Sequence, residues 1–139
     1  QMPMAWESRH HGILRAVSTE GAWADRLRDV DAIAPLLPPE ACYEALSEVC
    51  DEIDIWSTTY LHALEGEDAV LEWMKGTALR PHLAALAEDP STRAAWLSAL
   101  GARLSAAFRR RADGRTLLPF QRLFLVARRR RAPAGDAGR

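Results

Sequence analysis

Lysine is nearly absent from this sequence: Lys75 is the only one, and arginine supplies the other 17 of the 18 basic residues. Cysteine is scarce as well. Cys42 and Cys50 stand eight residues apart, on an expected helix and the segment after it, and they read as buried thiols rather than a disulfide framework. No apolar run approaches the roughly 18 residues of a membrane-spanning helix, which excludes that class. The first residues show no basic stretch followed by an apolar one, so no secretory leader is read there, and the chain reads as cytoplasmic. It starts at Gln1 rather than Met, which reads as a processed product, a fragment or a shortened chain.

Glycine-rich loops are missing too. The eight glycines are isolated until the C-terminal tail, and none is read as following a strand and opening a helix, so a phosphate loop and a dinucleotide fingerprint are excluded. No Cys/His cluster has zinc spacing. His10 and His11 are adjacent and would point to different sides of a helix, a poor pair for a metal. There is no G-x-S-x-G elbow and no internal repeat.

What is present is one globular domain of 139 residues, 48% hydrophobic and 27% charged. Its charge is uneven. From Arg109 to Arg139 ten arginines face Asp113 and Asp136, a balance of +8, and the rest must carry −9 to reach the overall −1. The run Arg128–Arg131 invites a nucleic-acid reading. The acidic remainder would oppose a phosphate backbone, so no nucleic-acid partner is expected.

Helical spacing of Ile13, Leu14 and Val17 predicts a helix over 8–18, and a second short one holds Trp23 and Leu27. Pro39 suits the first turn of a helix over Glu40–Glu48. Residues 52–64 are rich in β-branched and aromatic types and predict a strand. Its alternation puts Trp56, Tyr60 and His62 on one face and Ile53, Ile55 and Leu61 on the other. The next helix has Glu67 and Asp68 in its first turn and ends at Gly76, with Val70, Trp73 and Thr77 on one face. A short helix follows Pro81. Asp89-Pro90 opens a long helix striped by Leu97, Leu100, Leu104 and Phe108. Asp113-Gly114 marks a turn. Phe120–Ala127 predicts a second strand whose apolar run expects cover on both faces.

Two strands among about five helices cannot satisfy their own backbone groups. Most of the sheet is therefore expected from another polypeptide or from residues preceding this chain. The side chains that could wall a pocket are His11, Trp56, Tyr60, His62, Trp73, Thr77 and Arg80. Trp56 and Trp73 read as core rather than as ligand contacts, and His62 reads equally as a satisfied core histidine. Arg80 could bridge to an acidic neighbour, or its planar fork could clamp a carboxylate.

The ordered segments QMPMAWESRHHGILRAV, GAWADRL, IDIWSTTYLHAL, GEDAVLEWMKGTALRP and DGRTLLPFQRLFLVARR resemble successive blocks of the C-terminal half of the trans-aconitate 2-methyltransferase family. His11 and Arg15 match the first block, whereas Arg9 and His10 depart from its usual Pro-Ser. The resemblance implies an α/β fold, the C-terminal part of a class I (Rossmann-like) methyltransferase, with two to three strands of an incomplete sheet. QMP would end the fifth strand, Asp54–Leu64 would be the sixth, and Phe120–Arg128 the antiparallel seventh. Residues 1–131 would then be this half-domain, with helical insertions over 7–48 and 66–111 and strands over 52–64 and 120–128. Residues 132–139 would form a disordered tail.

The same resemblance implies methylation of a carboxylate of trans-aconitate or a similar polycarboxylic acid, with S-adenosylmethionine as cofactor. The cofactor would be bound mainly by an N-terminal half absent here, leaving this chain alone inactive. It implies Arg80 as carboxylate anchor, Tyr60 and His62 as donors to the substrate, Trp73 and Thr77 as walls, and His11 near the mouth. A carboxylate nucleophile requires no general base, so no catalytic residue is named. A different reading is a non-catalytic interaction module that pairs its strands with another chain.

Overall fold

A computed structural model describes residues 1–4, 7–30 and 37–130. Its strands are β1 (Met2–Pro3), β2 (Cys50–Glu65) and β3 (Arg115–Arg129), joined in the order β1-β3-β2. β2 and β3 pair antiparallel from Cys50 opposite Arg129 to Glu65 opposite Arg115, with an irregularity between Cys50 and Glu52. β1 pairs antiparallel with β3 at Leu123 and Arg122. β1 and β2 therefore run parallel to each other on either side of an antiparallel β3. That is the α/β arrangement expected at the C-terminal end of a class I methyltransferase sheet.

The helices are α1 (Arg9–Ser18), α2 (Ala24–Leu27, after a 3-10 turn at Gly21–Trp23), α3 (Pro39–Ser47), α4 (Ala69–Lys75), α5 (Arg80–Ala85) and α6 (Pro90–Ala107). Local chemistry sets their starts. The Ser8 hydroxyl accepts from the His11 backbone N–H, and Pro39 occupies the first turn of α3. Asp89 caps α6 by accepting from the Thr92 N–H at 3.0 Å and from the Ser91 and Thr92 hydroxyls. Those bonds hold its carboxyl at about 2. The turn before β3 needs Gly114, whose φ of +82° favours a residue without Cβ.

The core lies between the helices and the far end of the β2–β3 hairpin. Leu14, Val17, Leu27, Val70, Met74, Leu79, Leu86, Trp96, Leu100, Leu104 and Leu118 are buried in one cluster. Each such aliphatic side chain contributes about 1.5–3 kcal/mol by leaving water.

Several expectations change. Both strands are longer than 52–64 and 120–128. The apolar run of β3 is not covered on both faces, since Val126 is 58% exposed; the helices pack over the other end of the hairpin. Cys42 and Cys50 are free but half-buried rather than buried. Glu67 and Asp68 precede α4 rather than filling its first turn, and Thr77 lies beyond its end at Lys75. Gly76 keeps a right-handed φ of −69°. Gly66 does stand between a strand and a helix, contrary to expectation, but as a lone residue. The buried stripe of α6 includes Trp96, with Leu97 only half-buried, because Trp96, Leu100 and Leu104 repeat every four residues. The expected tail at 132–139 lies outside the described residues.

Candidate functional site

Residues facing one side of the hairpin follow from the register. Trp56 stands opposite Phe124, Thr58 opposite Arg122, Tyr60 opposite Phe120 and His62 opposite Leu118. Because side chains alternate along a strand, these eight share a face. Pro3 at the end of β1 lies level with Arg122. Tyr60 and His62 therefore sit just past the carboxyl end of β1, the side of an open α/β sheet where ligands bind.

Helices bring further rings onto this face. Trp73 of α4 meets Phe120 edge-on, with centroids 5.1 Å apart, and lies 6.0 Å from His62. His62 is 5.7 Å from Phe120. From α1, His10 reaches Trp73 at 5.9 Å and both Phe108 and Phe120 at 6.4 Å. The cap at Ser8 fixes the phase of α1, so that His10, Leu14 and Val17 turn inward. His11 then stands beside His10 at 4.7 Å, half-buried, with Nδ1 3.0 Å from the Ser8 hydroxyl. Burial, reinforced by the neighbouring His11, pushes His10 down to about 4, so His10 is neutral at pH 7.

The expected site residues thus divide. His62 and Trp73 are in contact through one aromatic cluster, with His11 at its margin. Tyr60 occupies the same face and is 43% exposed. Trp56 is stacked on Phe124 at 5.2 Å but 45% exposed, so the reading of it as core does not hold. Thr77 and Arg80 are exposed, one in the turn after α4 and the other opening α5. Their backbones are joined by a bond from Arg80 N–H to the Thr77 carbonyl at 3.2 Å. Among the described residues Arg80 forms no ion pair, so the bridge to an acidic neighbour is not there.

Arg122 was not anticipated. Its guanidinium lies 5.6 Å from the centroid of the Phe120 ring. Its Nε is buried and has no hydrogen-bond acceptor among the described residues. Leaving such a donor unmade costs about 1–3 kcal/mol. His10 and Phe120 were also missed; the heptad-like spacing to Leu14 and Val17, and the pairing of Phe120 with Tyr60, were the available signals.

A crevice of about 450 Å³ opens on the opposite side of the hairpin, where Thr59, Pro119 and Gln121 line it beside Ser8, His10 and Phe108. Arg9, Arg109 and Arg111 rim it. His10 and Phe108 touch both this crevice and the aromatic cluster.

The α/β fold with this strand order is consistent with the C-terminal part of a methyltransferase. The relatives are particular. The chain is 43% identical over 127 residues to a trans-aconitate 2-methyltransferase of Azoarcus, covering 91% of this chain and 49% of that protein. Enzymes of the same name from Klebsiella pneumoniae (41% over 129 residues; 93% and 48% covered) and Methylobacterium nodulans (43% over 132 residues; 94% and 50%) are similar. The chain spans about half the length of the curated relatives it matches. No family model matches it.

Proposed function

We propose that this chain is the substrate-side half of an S-adenosylmethionine-dependent O-methyltransferase acting, in the cytoplasm, on a carboxylate of trans-aconitate or a similar polycarboxylic acid. One observation carries the reading: His62 and Trp73 converge, with Tyr60 on the same face and His11 beside them, just past the carboxyl end of β1. The similarity to trans-aconitate 2-methyltransferases supports the substrate class.

The described residues do not fit the cofactor. The cluster holds no acidic side chain to face a ribose, and Gly66 leads only into the seven-residue α4. The cofactor's contacts are assigned to further residues of a longer protein or to a second chain, which would also pair the open edge of β1. The work of the present residues is to bind, orient and dry the acid. A carboxylate is already ionised at neutral pH and needs no base to become a nucleophile. Tyr60 and His62 donate to its oxygens, Trp73 and Thr77 wall it, His11 stands at the mouth, and exposed Arg80 meets a distal carboxylate.

The test is methyl-ester formation from trans-aconitate, read by mass spectrometry, in a protein that carries this chain at full relative length. Ester formation there, with no cofactor heat when the 139-residue chain is titrated alone, supports the reading. Stoichiometric cofactor binding by the chain alone, or no ester from any polycarboxylate, overturns it. The exposed Trp56 and Val126 favour one other reading, a module that docks by its sheet. A compact monomer in light scattering at micromolar concentration counts against that.

A further inference from the structure

We propose that Arg122 is the carboxylate anchor at the centre of this site, a role that rests on the reading above and deepens it. Arg122 stands in the middle of the ring-lined face. Phe120 and Phe124 flank it two residues away along β3, and Thr58 lies directly across. Trp56 is stacked on Phe124, and Tyr60 and His62 follow on β2. The guanidinium carbon lies over the Phe120 ring, 5.6 Å from its centroid, within cation–π range. No acidic side chain answers it among the described residues, whereas two other arginines of β3 are paired across the ladder. Arg115 pairs with Glu65 and Arg128 with Glu52, each at 3.2 Å. Arg122 has none, and its Nε is shut away from solvent without an acceptor.

A half-buried cation beside a ring, with no counter-charge, is matched by a ligand that brings one. A carboxylate does so in bidentate fashion, its two oxygens on the two terminal nitrogens. The position is level with Pro3, at the carboxyl end of β1, one step along the face from Tyr60. A polycarboxylate gripped there by one arm lies against Tyr60 and His62.

The experiment uses the longer protein carrying this chain, with trans-aconitate as probe, and measures binding by calorimetry beside steady-state methyl transfer. R122Q is expected to raise the Kd and KM for trans-aconitate at least 30-fold, with cofactor affinity unchanged. R122K keeps the charge but not the fork, and is expected to raise them about tenfold. A purely structural role would lower Tm and leave both constants alone; unchanged constants in R122K, or in folded R122Q, overturn the proposal. If the wild-type protein binds trans-aconitate in an Arg122-dependent way but forms no ester, the anchor stands and the methyltransferase reading falls. If it neither binds nor esterifies the acid, both fall.

Discussion

The two ends of the β2–β3 hairpin share one ladder and differ in everything laid over it. At the end toward Glu65 and Arg115, Leu118 and Thr116 are buried, and Leu64 and His62 pack under α4 and its neighbours. At the end toward Cys50 and Arg129, Trp56 and Val126 stand exposed, and the outermost contacts are the surface ion pairs Arg128–Glu52 and Arg130–Asp51. Backbone pairing runs through both, interrupted only by the irregularity between Cys50 and Glu52. The difference shows that strand formation and strand cover are separate matters: β-branched and aromatic residues form the ladder, but another element must supply the burial. The candidate site lies where cover gives out, between the two ends.

The sharpest way to break this comparison is to cut the covered end. Trp96 is fully buried in the helical cluster and stacked on His82. Trp96→Ala is expected to cost about 3–5 kcal/mol, read from urea unfolding of the chain. A loss below 1 kcal/mol would mean that the helices do not hold the hairpin.

Acid probes the same end through His10. Its folded pKa, about 4, lies below the ordinary histidine value of about 6.5. Between those values the unfolded chain binds more protons than the folded one. Stability is therefore full above pH 6.5 and falls as pH drops toward 4, by up to about 3 kcal/mol. His10→Gln, which cannot titrate, is expected to flatten that window; an identical pH profile in the variant would show that His10 is not kept neutral by burial.

At the open end the effects shrink. Phe124 is half-buried and stacked on Trp56, so Phe124→Ala is expected to cost about 1–2 kcal/mol, well under the roughly 3–5 of an enclosed ring. A loss matching that of Trp96→Ala would erase the distinction between the ends. Arg128→Ala, which removes an exposed pair with Glu52, is expected to change stability by less than about 0.5 kcal/mol. A larger drop in the same urea experiment would assign the outer ladder a role in holding the fold.

The pairing was legible in the residues and the covering was not. Strand propensity marks 52–64 and 120–127 because Ile, Thr, Trp, Tyr and Phe report on the pleat directly. Asp89-Pro90 and Pro39 mark helix starts because capping is local chemistry. Trp96 escaped the stripe drawn through Leu97, since a one-residue shift of phase on an alanine-rich helix changes little in the pattern and much in the packing. Strand alternation put Tyr60 and His62 on one face, as the register does. Arg122 was lost among the basic residues that follow it; only the register with Thr58 separates it from the surface arginines at 128 and 130. His10 was discounted as one of two adjacent histidines, and its burial depends on where Ser8 begins the helix.

The long connection from Gly66 to Gly114 separates strands that must meet. Closing it costs chain entropy once, and the cheapest first contact is Glu65 with Arg115. The intervening helices form from near neighbours and draw these two positions together. Each later pair, out to Cys50 with Arg129, adds to a closed loop without a new closure. The hairpin is thus expected to assemble like a zipper from the helical side, its rate governed by contacts distant in sequence, and its amides near Cys50 should be the first to exchange with solvent deuterium.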